Sequence, residues 1–183
     1  MIGCKPLTDQ EIAKMLKVLQ SERNRCYFIL GLRSGFRVSE LLSLSISDCF
    51  QYGQVVDRVT VRRSNMKGKQ SSRTVVLHDE AKQALKGYLD TLNSTQEDFQ
   101  KLKLFPFGRV QAHRLIHGAA EKAQVQGKVS NHSMRKTFCK KIYHALEKDL
   151  VGTQKAIGHK SIGSTVSYLS FEQSEIDSAI LKT

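Results

Sequence analysis

Apolar residues recur along this chain at helical spacing for most of its length, interrupted once by a short stretch of alternation. Thr8 followed by Glu11 has the form of a capping box, and Ile12, Met15, Leu16 and Leu19 then share one face of an amphipathic helix. A second helix is predicted to begin after Ser21 and to run through Tyr27, Phe28, Ile29 and Leu32 to a break at Ser34-Gly35. Arg37 would start the next helix, on a sharp turn, with Leu41, Leu42 and Leu44 entering the core. From Val55 to Val61 the period changes to two, with Val55, Val59 and Val61 alternating with polar residues. Thr74 to Leu77 reads as a second strand, and residues 65–72 between them as a hairpin turn with a basic tip. Asp79 is expected to cap a helix containing Ala84, Leu85 and Leu89. Asn93 to Lys103 reads as loop, and Leu104-Phe105-Pro106-Phe107 as its anchor in the core. Further helices are predicted at about Val110–Gln124, His132–Leu146, Leu150–Ile157, Ser161–Tyr168 and Glu172–Leu181. The pattern as a whole predicts a mainly α chain with a small antiparallel β-sheet, an α+β fold without internal repeats.

Composition narrows the class. With 183 residues, 40% hydrophobic and 25% charged, the chain suits one globular domain spanning 1–183, and no apolar run approaches a membrane span. The N-terminus lacks the apolar core of a signal peptide, so a cytoplasmic location and no membrane partner are expected. Cys4, Cys26, Cys49 and Cys139 form no Cys-x-x-Cys pair, and Cys26 and Cys139 fall in apolar helical patterns as buried thiols. His113 and His117 stand at i and i+4, but Arg114 occupies the place of a zinc-hydrolase Glu and no third ligand is evident, so no metal site and no cofactor are expected.

The formal charge is +12, unevenly spread. Residues 101–160 carry 13 Lys and Arg against three acids, a net +10, whereas residues from 161 onward carry a net −2. A second basic patch, Arg62, Arg63, Lys67, Lys69 and Arg73, contains no acid. Such clustering fits a phosphate backbone, although from charge alone a merely solvated basic face is an equal reading.

The chemistry-bearing residues sit in four boxes: Gly35-x-Arg37-x-Ser39-Glu40-Leu41-Leu42, His132-x-x-Arg135, Gly158-His159-Lys160-Ser161, and Tyr168 nine residues after His159. A phenol can attack a phosphodiester and hold the cut end as an ester, and guanidiniums can grip the non-bridging oxygens through paired N–H donors. His132 and Arg135, one turn apart, can address one phosphate. Singly, each residue has a plainer reading: Arg37 and Glu40 as helix-surface residues, Arg135 as part of a basic helix, His132 as a helix N-terminal residue, His159 as a cap at the Gly158 turn. Tyr143 shares a helix with Arg135, but its apolar neighbours suit a core position.

Taken in order and spacing, the four boxes resemble the catalytic domain of the tyrosine recombinase, or phage integrase, family over nearly the whole chain. The resemblance implies a site-specific DNA recombinase that cuts and rejoins strands through a 3′-phosphotyrosine on Tyr168, without metal or ATP. It assigns Arg37 and Arg135 as phosphate clamps, His132 to accept or relay the Tyr168 proton or to hydrogen-bond a phosphate oxygen, His159 to donate to a phosphate oxygen, and Glu40 to orient a cation or histidine. A hairpin lysine protonates the leaving 5′ oxygen, with Lys67 preferred and Lys69 contacting the DNA backbone. Arg62, Arg63, Arg73, Lys136 and Lys160 are expected to bind DNA. The implied partners are a double-stranded recombination site, further copies of the chain in a tetramer on DNA, and accessory DNA-bending proteins. The implied setting is prokaryotic, phage or mobile-element, on the nucleoid. The family's N-terminal DNA-clamping domain is expected to be missing, and residues 169–183 to form a tail helix, with Ile176 and Ile180 on one stripe, docking on a neighbouring subunit or its own. A type IB topoisomerase-like strand transferase and a non-catalytic DNA-binding protein of the same fold are the alternatives.

Overall fold

A computed structural model describes residues 3–62, 72–92, 98–169, 177, 180 and 181. Its architecture is mainly helical with small antiparallel sheets, and it divides into two compact units, residues 1–138 and 139–183.

In the first unit, α1 (Asp9–Val18) opens with the capping box foreseen: Thr8 Oγ1 accepts from the Glu11 N–H at 3.2 Å, and the Glu11 carboxylate accepts from the Thr8 N–H at 3.0 Å. α2 (Glu22–Ser34) starts from Ser21 and stops at Gly35, whose φ of 59° is left-handed and whose N–H returns to the Gly31 carbonyl. α3 (Val38–Leu41) is a single turn, and Leu44 lies beyond it, still fully buried. A short α4 (Ile46–Cys49), which the sequence pattern did not suggest, precedes a hairpin of β1 (Phe50–Gln51) and β2 (Gln54–Val55). The hairpin turns on Tyr52 and Gly53, both at positive φ, as a two-residue loop with the right-handed strand twist requires.

The expected Val55–Val61 strand is therefore two elements. β3 (Arg58–Val61) pairs antiparallel with β4 (Arg73–Val76), Val61 facing Arg73 and Arg58 facing Val76, with Val59 and Val61 turned into the core. The connecting turn, with Lys67, Lys69 and Arg63, lies outside the described residues. α5 (Asp79–Asp90) is capped by His78, whose Nδ1 accepts from the Glu80 N–H, so Asp79 is its first residue and not its cap. Part of the expected 93–103 loop is a 3-10 turn at Phe99–Lys101. Leu104 and Phe105 are buried and tied to the chain after α3 by the Leu104 N–H to the Leu44 carbonyl. α6 (Arg109–Lys122) packs on α1, and α2 packs on α5. The aromatic centre is Tyr27 on α2, edge-on to Phe105 at 5.1 Å and Phe107 at 5.2 Å, with Tyr88 stacked on Phe105.

α7 (Asn131–Ala145) begins in the first unit and ends in the second. Within the second unit, α8 (Leu150–Ile157) packs on α9 (Ile162–Leu169). Most of the expected tail helix, including Ile176, lies outside the described residues, and Ile180 is exposed. No described helix is long and apolar enough to cross a membrane.

Candidate active site

The first unit gathers its chemistry around the stop of α2. Gly35 can take its left-handed turn without strain, and it also lies where a Cβ would come within 2.3 Å of the Phe138 ring on α7. One helical turn earlier, Gly31 lies under Met134 of α7. The two glycines thus let α7 approach α2 closely enough to deliver Arg135, whose Nη1 donates to the Gly35 carbonyl. The start of α7 is fixed independently: the Tyr27 hydroxyl donates to Asn131 Oδ1 at 2.8 Å, and the Ser130 N–H donates to Ser133 Oγ at 3.1 Å.

Two residues after Gly35, Arg37 caps α3. Its N–H donates to Glu40 Oε2 at 2.9 Å and its Nη1 to Glu40 Oε1 at 2.6 Å. Glu40 is fully buried, so it is not a helix-surface residue. Its second cationic neighbour is Arg73 at 3.7 Å.

Arg73, expected from the sequence among the DNA-binding residues, is buried in this structure. It is 8% exposed, and its Nη2 donates to the Ser34 carbonyl at 3.0 Å. Burial, the nearby Arg135 and Arg37 charges and the opposing pull of Glu40 together bring its pKa down to about 10, so it stays cationic at neutral pH. Two guanidiniums therefore meet the Glu40 carboxylate while Arg135 meets the Gly35 carbonyl beside it, and the three differ in access. Arg135 is 1% exposed and Arg37 keeps 23% of its side chain exposed, so Arg37 is the cation an incoming anion meets first.

His132 is exposed at the start of α7. Partial desolvation, then the positive charges of Arg135, Arg37 and Lys136, hold its pKa below the ordinary histidine value and favour the neutral ring. Lys136 is half-buried on the same helix, and Arg62 is exposed, 3.6 Å from Asp48.

The second unit places His159 by a helix stop of its own. Gly158, at φ 70°, ends α8, its N–H bonding back to the Lys155 and Gln154 carbonyls and the His159 N–H to Gln154, a Schellman arrangement. His159 is buried, and its Nδ1 lies 3.0 Å from the buried Thr165 hydroxyl, which fixes the ring's rotation. Tyr168, half-buried near the end of α9, stands edge-on to that ring with centroids 4.7 Å apart. Thr165, which holds that ring, has no local motif to mark it in the sequence. Lys160 is exposed.

The other tyrosines are poor nucleophile candidates. Tyr27 is buried, its hydroxyl is bonded and its phenol is pushed up by desolvation; Tyr88 and Tyr143 are buried, and Tyr52 sits in the β1–β2 turn. Among the described residues no group of three or more metal-binding side chains occurs, and His113 and His117 stack on α6 at 5.6 Å with Glu121 beside His117.

Comparison with known proteins agrees in kind. The chain is 26% identical over 167 residues to the probable integrase/recombinase YoeC of Bacillus subtilis strain 168, covering 90% of this chain and 87% of that protein. It is 25% identical over 185 residues to the tyrosine recombinase XerC of Caldanaerobacter subterraneus subsp. tengcongensis, covering 96% of this chain but 50% of that protein. Among solved structures, the XerA recombinase superposes with a TM-score of 0.77 at 26% identity, over 97% of this chain and 62% of that one. The chain thus spans about half the length of XerC. The description of the phage integrase family matches residues 5–175, and the chain belongs to that family.

Proposed function

We propose that this chain is the catalytic part of a site-specific DNA recombinase that cuts and rejoins duplex DNA through Tyr168. The observation that carries the reading is the convergence of three guanidiniums on the Gly35 turn, Arg37 held through Glu40 and Arg73 and Arg135 through the Gly35 carbonyl. Guanidiniums gathered in this way suit an anion of phosphodiester type, whose oxygens accept their paired N–H donors.

In the proposed reaction, Tyr168 Oη attacks the scissile phosphorus and the bond from phosphorus to the 5′ oxygen breaks. The strand's 3′ phosphate becomes an ester of the tyrosine. His132, favoured as the neutral imidazole, takes the phenol proton, and Lys67 supplies a proton to the departing 5′ oxygen, with Lys69 on the DNA backbone. Arg37 and Arg135 bind the non-bridging oxygens and stabilise the charge of the pentavalent phosphorus, and His159 donates to the same oxygens. Attack by a different 5′ hydroxyl reverses the chemistry and joins new partners, with the bond energy kept in the ester, so that neither ATP nor metal is required. Lys136, Lys160, Arg62 and Arg63 contact backbone phosphates. Strand exchange between two duplexes calls for several copies of the chain on DNA, a tetramer in this reading, helped by DNA-bending proteins and located on the nucleoid.

The test is trapping on DNA followed by a denaturing gel. The native chain should leave a covalent protein–DNA band, and Tyr168→Phe should leave none while binding DNA within about twofold of the native chain, since it removes one hydroxyl and no phosphate-binding cation. A band that persists in Tyr168→Phe, or a DNA-linked peptide containing Tyr143, would overturn the assignment.

A further inference from the structure

Arg73 opens β4, yet its guanidinium is committed to the turn that carries Arg37. Nη2 donates to the Ser34 carbonyl at 3.0 Å, Nη1 lies 3.5 Å from the Gly35 carbonyl and 3.7 Å from Glu40 Oε2, and the guanidinium carbon lies 5.2 Å from the centre of the Phe36 ring. Ser34 is itself fastened, its hydroxyl donating to the Leu30 carbonyl at 2.6 Å and accepting from the Phe36 N–H at 3.2 Å. One buried cation thus spans the stop of α2, the buried Phe36 and the carboxylate that holds Arg37.

Glu40 makes this arrangement consequential. Both its oxygens serve Arg37, Oε1 taking Nη1 and Oε2 taking the backbone N–H, so the rotation of the carboxylate sets where the Arg37 guanidinium points. Arg73 approaches Oε2 from a different element and opposes that rotation. A planar guanidinium can do this while bonding two carbonyls, whereas an ammonium has no such fork.

We propose that Arg73 is a positioning residue for the Arg37 phosphate clamp, acting through Glu40 and the Ser34–Gly35 carbonyls without touching DNA. The proposal rests on the strand-transfer reading above. It differs from two simpler roles for a basic residue at this place: a contact to backbone phosphate, and a brace for the β3–β4 hairpin, in whose sequence the candidate acid Lys67 lies.

The experiment uses the full chain on duplex DNA carrying its mapped cleavage site, with Arg73→Met and Arg73→Lys. A clamp misplaced by about 1 Å costs on the order of 100-fold, so Arg73→Met should slow adduct formation by about that factor, and Arg73→Lys by less. DNA affinity and its salt dependence should stay as in the native chain, because no phosphate contact is lost. A salt slope reduced by about one contact would instead make Arg73 a phosphate ligand and overturn the proposal. A substrate with sulfur in place of the bridging 5′ oxygen, which scarcely needs protonation on leaving, should fail to rescue Arg73→Met. Rescue would overturn the proposal in favour of a hairpin role.

A readout independent of cleavage is the Arg37 side-chain Nε–H resonance in DNA-free protein, which should move in Arg73→Met while the methyl spectrum of the core stays native. An unmoved Arg37 signal overturns the proposal. Should Arg73→Met fail to fold, Arg73→Lys decides: a native Arg37 signal with an unreduced cleavage rate refutes the positioning role, and a shifted signal with a slower rate supports it. If the native chain forms no adduct on any DNA, the strand-transfer reading falls, and the Arg37 resonance still decides whether Arg73 sets that side chain.

Discussion

His132 is surrounded by positive charge, and its chemistry follows from that. Desolvation and the charges of Arg135, Arg37 and Lys136 all disfavour the imidazolium, so the ring remains a proton acceptor at pH values where an isolated histidine is already half charged. The sign for stability follows from linkage. As pH falls through the ordinary histidine value the unfolded chain takes up a proton that the folded chain refuses, so His132 lowers stability progressively until the folded midpoint is reached, and contributes nothing above both midpoints. An NMR titration of the folded protein should place His132 below the free-histidine midpoint, and Arg37→Ala should move it back toward that value. Bound DNA, by bringing a phosphate near the ring, should also raise it. A midpoint at or above the free value in the DNA-free protein would contradict the electrostatic account and the proton-accepting role built on it.

At the scale of elements, two helix stops position the chemistry: Gly35 two residues before Arg37, and Gly158 immediately before His159, both in the left-handed conformation. Gly35→Ala should cost about 2–4 kcal/mol, the sum of a left-handed backbone penalty of about 1–2 and a similar overpacking penalty against Phe138. Gly31→Ala, at ordinary helical φ and crowding chiefly the flexible end of Met134, should cost about 1 kcal/mol. Denaturant melts of the two variants check this, and equal losses would mean that the turn does not depend on positive φ. These stops were legible in the sequence because a glycine that ends an apolar period is a local signal, as were the Thr8–Glu11 box, the Ser21 cap and the limits of α8. The β1–β2 hairpin was missed because Tyr52 rather than Asn or Asp takes the left-handed first position of its turn. The burial of Arg73 was not legible for a different reason: it stands in a basic run, and its partner, the Ser34 carbonyl 39 positions away, is not a local property of the chain. The clustering of Arg37, Glu40 and Arg135 could be expected from their spacing and family resemblance. The angle at which Glu40 presents both its oxygens could not.

For the whole molecule the deciding quantity is where the +12 charge lies. Of the 13 Lys and Arg between 101 and 160, only Arg135 is buried, whereas Lys101, Lys103, Arg109, Arg114, Lys122, Lys128, Lys148, Lys155 and Lys160 are exposed. Both units carry some of them: Lys148, Lys155 and Lys160 belong to the second, the remainder to the first. Lysines and arginines release condensed counterions from a polyanion when they bind it, and the exposed ones here outnumber the cations assigned to the scissile phosphate. Binding to duplex DNA should therefore weaken steeply with salt, and most of the steepness should come from surface residues. If about six phosphates are neutralised, affinity should fall by about a thousandfold between roughly 50 and 200 mM salt. Arg109→Gln and Lys160→Gln should each flatten the slope by about one contact while leaving the rate of adduct formation on saturated DNA unchanged. Arg37→Ala, which also removes a phosphate contact, should flatten the slope to a similar degree but, unlike them, abolish the adduct. Equal slopes for the native chain and both Gln variants would mean that these exposed cations do not face DNA, and the basic surface would then be a solvated one.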